Sequence, residues 1–160
     1  MSKLPTVAII GQANVGKSSL FNRLTRSRTA IVAREAGTTR DNVVGKVSYK
    51  RRNVDSAPSD DYSQFWLIDT AGLKTAEDEF EATIQDQIAD ASAAADVILV
   101  TVDSTAYPSD ADRQLAKKAL KSSKPVILIA NKADLKGSLS IDEFKRLGIK
   151  NIIKTSAEHS

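Results

Sequence analysis

The sequence predicts an α/β fold in which a mostly parallel six-stranded sheet, with one antiparallel edge strand, carries helices on both faces. Three observations lead to this prediction. Short, β-branched apolar runs typical of buried parallel strands recur along the 160 residues. Longer stretches with helical spacing separate these runs. Segment 42–50 alternates apolar and polar residues instead, as an exposed strand does.

The elements can be placed in order from these patterns. Strands are expected at 6–10, 42–50, 65–68, 97–102, 125–130 and 151–154. Helices are expected at 18–25, 79–94, 110–121 and, as a short helix, 141–147. Segment 42–50 should pair antiparallel with 65–68, and the polar insertion 51–64 between them reads as a solvated hairpin loop. Residues 1–160 are interpreted as a single domain.

The bulk composition excludes several classes of protein. No run approaches the roughly 18 to 20 apolar residues of a membrane span, and the start does not resemble a signal peptide, so a cytoplasmic protein is expected. The absence of cysteine excludes disulfides and thiolate metal sites. A net charge of +3 permits contact with nucleic acid but is too small to demonstrate it. The isolated domain is expected to be a monomer.

A glycine-rich segment, GQANVGKS at 11–18, lies between the first strand and the first helix. It matches the pattern in which backbone amides and a helix N-terminus cradle phosphates. Lys17 is expected to reach the β- and γ-phosphates, and the Ser18 hydroxyl to ligate Mg²⁺. The pattern leaves the base undecided, because ATPases and kinases share it. The nucleotide contacts predicted here are Asn14, Val15, Gly16, Lys17, Ser18 and Ser19.

A second motif, DTAG at 69–72, directly follows the strand at 65–68. Ligands of open α/β sheets bind at the carboxyl ends of the strands, which is where this motif falls. Asp69 is predicted to hold Mg²⁺ through its water shell, and the Gly72 amide to bind the γ-phosphate. In the polar segment 36–41 a threonine could complete the Mg²⁺ shell. The residues alone do not decide between Thr38 and Thr39.

The third motif, NKAD at 131–134, selects the base. The Asp134 carboxylate offers two acceptors that match the N1–H and N2–H₂ donors of guanine, whereas adenine has no donor at those positions. Asn131 is expected to hold the neighbouring loops together, and the Lys132 stem to cover the base. After the last strand, a backbone amide at Ser156 or Ala157 is placed to meet guanine O6.

These motifs, with AGTTRD at 36–41 and TSA at 155–157, resemble the translation-factor-like GTPases. The phrases NVGKSSLFNRLT, ADVILVTVD and KPVILIANKAD are most similar to the N-terminal G domain of the Der (EngA) family of ribosome-assembly GTPases, with Era and MnmE as relatives. The resemblance implies a Ras-like P-loop G domain that hydrolyses GTP. It further implies a role in large-subunit assembly, with a ribosomal subunit or rRNA as the partner of the full-length protein.

The resemblance also implies a longer protein, with two tandem G domains followed by a KH-like domain. By the same resemblance Thr39 is the switch threonine. The implied catalytic residues are then Lys17, Thr39, Gly72 and Asn14, and the implied metal ligands are Ser18, Thr39 and Asp69. The chain departs from the family at Gln12-Ala13 and Ala36, where Arg-Pro and Pro are usual, and in DTAG, where DTGG is common.

Position 73 bears on the mechanism. Many small GTPases carry there a glutamine that orients the attacking water, and Leu73 cannot hydrogen-bond water. The relatives share this substitution, and several are activated by K⁺ held partly by the loop asparagine, here Asn14. Slow intrinsic turnover stimulated by K⁺ is our hypothesis.

Two alternatives to this function stay open. One is a nucleotide-binding scaffold with negligible hydrolysis. The other is an Era- or MnmE-like GTPase acting on RNA modification or small-subunit maturation. An ATP-dependent kinase is disfavoured by NKAD.

Overall fold

The computed structural model describes residues 4–12, 15–25, 31–34, 41–50, 62–69 and 84–156. Strands and helices alternate through most of this length. In chain order they are β1 Thr6–Gly11, α1 Lys17–Thr25, β2 Ile31–Arg34, β3 Asp41–Lys50, β4 Tyr62–Asp69, α2 Ile84–Ala94, β5 Val97–Asp103, α3 Asp110–Lys121, β6 Val126–Asn131, a 3-10 helix Ile141–Leu147 and β7 Asn151–Lys154.

The strands form one sheet in the order β2-β3-β4-β1-β5-β6-β7. All pairs from β4 to β7 are parallel, whereas β3 is antiparallel to both of its neighbours. The predicted mostly parallel sheet with one antiparallel strand is confirmed, and so is the pairing of β3 with β4. A seventh strand, β2, was not predicted. It pairs with the outer side of β3, so β3 is the second strand from the edge.

The predicted helices are present with small changes of boundary. Helix α3 has the predicted bounds, whereas the short helix at 141–147 is a 3-10 helix. Helix α2 is described from Ile84 onward, so its predicted start at 79 lies outside the described residues. A capping box fixes the start of α3: the Ser109 hydroxyl accepts from the Asp112 amide at 3.2 Å, and the Asp112 carboxylate accepts from the Ser109 amide at 3.0 Å.

The core lies on both faces of the sheet. In β1, Ala8 and Ile10 pack on the side that carries α2, α3 and the 3-10 helix, whereas Ile9 packs on the α1 side with Phe21. All four side chains are buried. Both faces being covered explains why the central strands read as continuous apolar runs. Among the helices of the described residues, none has the length and apolarity to cross a membrane.

Parallel pairing brings the carboxyl ends of four strands together. They end at Gly11, Asp69, Asp103 and Asn131, from β1, β4, β5 and β6. We call this side of the sheet the carboxyl edge. Loops that leave it can converge on one ligand, as in other open α/β sheets.

Candidate functional site

The glycine-rich loop joins β1 to α1 at the carboxyl edge. The Lys17 ammonium donates to the Gly11 carbonyl, so it lies inside the loop. The Leu20 amide donates to the Gly16 carbonyl at 2.9 Å, so the helical bonding begins directly at the end of the loop. The first amides of a helix have no partner within the helix and favour an anion. The exposed Ser18 hydroxyl lies in this same first turn.

Gly16 has a backbone φ of +94°, which favours glycine over any residue with a side chain. A Cβ atom at this position would also overlap the side-chain amide of Asn131. The glycine therefore serves two purposes, a left-handed turn and a close approach to the loop after β6. Both would be lost with any other residue.

Asn131 joins three parts of the site. Its side chain is 2% exposed; the Nδ2 atom donates to the Val15 carbonyl at 3.0 Å, and the Oδ1 atom accepts from the Thr155 hydroxyl at 3.0 Å. Its carbonyl accepts from the Ser104 amide at 2.9 Å. One buried side chain thus connects the glycine-rich loop, the NKAD loop and the segment after β7, as the sequence led us to expect of this residue.

The segment after β7 is held against the NKAD loop by the backbone. The Thr155 amide donates to Ala130 O at 3.0 Å, and the Ala133 amide donates to Thr155 O at 2.9 Å. This places Ser156 beside the loop. Its hydroxyl is buried and has no hydrogen-bond partner among the residues described here, whereas Asp134 is exposed. A ligand seated at this edge can therefore meet a carboxylate on one loop and a buried hydroxyl on the other.

Asp103, at the end of β5, is a site residue that sequence reasoning missed. It accepts from the Lys132 ammonium at 3.1 Å and from the Thr105 amide and hydroxyl at 2.8 and 2.6 Å. Burial raises the pKa of Asp103, but the hydrogen bonds from Thr105 and Lys132 outweigh burial and hold that pKa below its ordinary value. The ion pair fixes the Lys132 stem at the edge. The available signal was an aspartate directly after an apolar strand, as at Asp69.

Gln12 links the glycine-rich loop to α3. Its Nε2 atom donates to the Ser109 hydroxyl at 2.7 Å and to the Asp112 carboxylate at 2.8 Å. Both partners belong to the capping box of α3. The sequence marked position 12 only as a departure from the family pattern. No local pattern could connect it to residues about a hundred positions away.

Asp69 ends β4 and lies opposite Ile9 in the ladder with β1, two residues before Gly11. Its side chain is 1% exposed. A carboxylate at this depth and the Ser18 hydroxyl are both oxygen donors, the type that Mg²⁺ prefers. The donor set therefore fits the predicted metal. Five predicted residues, Asn14, Thr39, Gly72, Leu73 and Ala157, lie outside the described residues.

Comparison with known proteins adds to this geometry. Residues 6–132 match the protein family described as 50S ribosome-binding GTPase. "GTPase Der" of Porphyromonas gingivalis is 43% identical over 145 residues, which are 89% of this chain and 31% of that protein. "GTPase Der" of Gemmatimonas aurantiaca is 39% identical over 159 residues, which are 98% of this chain and 34% of that protein. The chain spans about a third of the length of these curated relatives.

Solved structures share the fold over nearly the whole chain. The G domain of the FeoB iron transporter of T. maritima is 28% identical and superposes with a TM-score of 0.69. The alignment covers 98% of this chain and 89% of that one. An Era variant of Aquifex aeolicus bound to GDP·AlF4⁻ is 30% identical, with a TM-score of 0.66 over 98% of this chain and 52% of that one. Era bound to MgGDPNP and nucleotides 1506–1542 of 16S ribosomal RNA is 26% identical, with a TM-score of 0.65, over 98% and 52%.

Proposed function

Since the chain belongs to the 50S ribosome-binding GTPase family, we propose that it binds GTP and GDP, hydrolyses GTP and acts as a switch in the assembly of the large ribosomal subunit. The resemblance to Der proteins that the motifs suggested is confirmed by identities between 38% and 43%. The ribosomal role is part of the proposal, because this chain matches only one part of those relatives.

The arrangement around Asn131 carries the nucleotide proposal. This side chain belongs to the third motif and bonds the glycine-rich loop through Val15 and the segment after β7 through Thr155. The loops that bind the phosphates and the base of a nucleotide must lie at a defined distance from each other. A buried side chain that is hydrogen-bonded to both loops sets that distance. We propose that in this arrangement the Asp134 carboxylate selects guanine, the Lys132 stem covers the base, and a backbone amide of Ser156 or Ala157 donates to O6.

We propose that the glycine-rich loop holds the phosphates. Backbone amides from Asn14 to Ser19, including those of Val15 and Gly16, would surround them, with the Lys17 ammonium at the β- and γ-positions. Ser18, Asp69 and Thr39 would hold Mg²⁺, which when bound neutralises charge on the β- and γ-phosphates. The Gly72 amide would contact the γ-phosphate and report its loss.

Hydrolysis is proposed to be slow without help. Leu73 cannot orient water, so the catalytic residues Lys17, Thr39, Gly72 and Asn14 act by placing the phosphates and their charge. We propose that K⁺ near Asn14 adds positive charge. GTP turnover in KCl should exceed turnover in NaCl at equal ionic strength, and equal rates would contradict the role of K⁺.

Nucleotide competition tests the base assignment. A fluorescent GDP analogue bound to the chain should be displaced by GTP at a concentration at least about a hundredfold below that of ATP, because ATP leaves the Asp134 carboxylate unpaired. The matched control is Asp134→Ala, which should lose most of this preference. Equal displacement by GTP and ATP in the unchanged chain would refute guanine selection.

Single-turnover GTP hydrolysis with added ribosomal subunits tests the switch. Stimulation by large subunits is expected. Absence of hydrolysis under every condition would instead support a nucleotide-binding scaffold. Stimulation by small subunits alone would support an Era-like role, the alternative favoured by the Era structure with 16S ribosomal RNA.

A further inference from the structure

Positive charge is unevenly distributed along the chain. Residues 114–156 contain ten Lys and Arg against three Asp and Glu, an excess of seven positive charges, whereas the whole chain has an excess of three. The remaining residues are therefore net negative. This segment covers the end of α3, β6, the 3-10 helix and β7. A concentration of one sign in one part of a fold creates a directed field there.

Helix α3 presents part of this charge to solvent. Leu115, Ala116 and Ala119 are fully buried, so the opposite side of the helix faces outward. Lys117 and Lys121 are four residues apart and lie on this outer side, together with Lys118. All three are exposed. They occupy the last turns of α3, the end far from the carboxyl edge.

The 3-10 helix brings further cations to the same place. Gly148 follows that helix and lies close to α3. A Cβ atom at Gly148 would be 3.6 Å from the Leu120 side chain. Arg146 and Lys150, two residues to either side of Gly148, are exposed. Lys124 lies three residues after the end of α3 and is half-buried. We define Lys117, Lys118, Lys121, Lys124, Arg146 and Lys150 as the lysine face.

Ordinary explanations account for only part of this face. Lys118 and Lys121 lie in the last turn of α3, where positive charge interacts favourably with the helix dipole. That effect does not require Lys124 or Lys150. None of the six forms an ion pair with another residue that the structure describes, although the neighbouring cations Arg113 and Lys145 pair with Asp110 and Asp142. The six cations repel one another, and no described acidic side chain pairs with them to reduce that repulsion. A bound polyanion would reduce it.

We propose that the lysine face binds the phosphate backbone of a structured RNA, an inference that rests on the proposed ribosomal function. Lysines bind phosphates as point charges without reading bases. A membrane surface is less suitable, because α3 has its apolar side buried in the core and offers lipid only Leu120 among the large apolar residues of its exposed side. Because the face lies opposite the carboxyl edge, RNA bound there leaves the nucleotide site open.

Charge reversal with a matched control tests this proposal. Lys121→Glu with Lys150→Glu removes two cations from the face. Arg113→Glu with Lys145→Glu makes the same change of charge, on α3 and the 3-10 helix, at cations that already have acidic partners. Binding of a fluorescein-labelled RNA hairpin and of protein-free large-subunit ribosomal RNA is measured between about 50 and 200 mM salt.

The first variant should bind both RNAs at least about tenfold more weakly than the unchanged chain. The slope of log affinity against log salt should fall by about one to two. The control should lose less than about threefold. Binding to phosphatidylserine vesicles is measured on the same samples. The proposal is overturned if both variants lose RNA binding equally, or if the unchanged chain does not bind RNA. It is also overturned if the first variant loses binding to the vesicles alone.

GTP binding and turnover measured on the same samples separate this inference from the proposed function. Both variants should keep the turnover of the unchanged chain, since none of the four side chains forms a hydrogen bond or ion pair with the described part of the glycine-rich loop or with the NKAD loop. Absent turnover in the unchanged chain would count against the GTPase proposal. Loss of RNA binding with normal turnover in the first variant alone would support the lysine face.

Discussion

Replacing Asn131 with alanine removes the side chain that joins the three loops of the site. Among the described residues its side chain loses two hydrogen bonds, the one donated to the Val15 carbonyl and the one accepted from the Thr155 hydroxyl, both at 3.0 Å. The position is almost fully buried, so water cannot readily replace the lost partner. Asn131→Ala therefore leaves the buried Val15 carbonyl and the half-buried Thr155 hydroxyl each short of a partner.

The size of the effect follows from these two groups. A buried polar group left without a partner costs about 1 to 3 kcal/mol. Partial relaxation of the Thr155 hydroxyl lowers the sum, so we expect Asn131→Ala to reduce the free energy of unfolding by about 2 to 4 kcal/mol. GDP affinity should fall as well, because the glycine-rich loop and the segment after β7 are no longer joined through Asn131. Each 1.4 kcal/mol of binding free energy lost lowers the affinity about tenfold.

Thr155→Val is the matched control, because it removes only one of the two bonds. It should cost about 1 to 2 kcal/mol, and the double variant should show a coupling of about 1 kcal/mol between the two sites. Urea denaturation without nucleotide gives the stabilities, and titration with a fluorescent GDP analogue gives the affinities. If Asn131→Ala costs no more stability than Thr155→Val and leaves GDP affinity unchanged, Asn131 does not hold the loops of the site together.

Three further predictions concern other side chains of the site. Asp134→Asn should weaken GDP by at least about tenfold and improve xanthosine diphosphate, whose C2 carbonyl can accept from the new amide; calorimetric titration that still favours GDP would contradict this. Gln12→Ala should lower the free energy of unfolding in urea by about 1 to 2 kcal/mol through its two lost bonds to the start of α3, and an unchanged midpoint would disprove the link. Because the pKa of Asp103 is lower in the folded chain than in the unfolded chain, its ionised carboxylate stabilises the fold above the unfolded pKa. The difference in free energy of unfolding between the unchanged chain and Asp103→Asn should therefore be constant above about pH 5 and shrink below about pH 4. A difference that stays unchanged down to about pH 3 would exclude that contribution.

Most of the fold could be predicted because its strands are buried on both faces. In β1, Ala8, Ile9 and Ile10 are all apolar for that reason, and the same holds in β5 and β6. Strand β2 could not be predicted. It is a strand through its pairing with β3, and that information lies elsewhere in the chain.

The site divides in the same way. Motif residues such as Gly16 and Asn131 were predictable, because their spacing reflects a local turn and a strand end. The contact of Gln12 with Asp112 and that of Asp103 with Lys132 were not. Each joins positions far apart in sequence, and Gln or Asp at a strand end has many possible partners until the sheet order is known.

Helix α3 has one end beside Gln12 of the glycine-rich loop and the other end in the lysine face. Its twelve residues make a rigid rod of about 18 Å. A tilt of only about 5° pivoting at the capped end would move the far lysines by about 1.5 Å, by the geometry of such a rod. Helix α3 is thus a rigid connection between the proposed nucleotide site and the proposed RNA site, and any coupling free energy between these two sites is reciprocal.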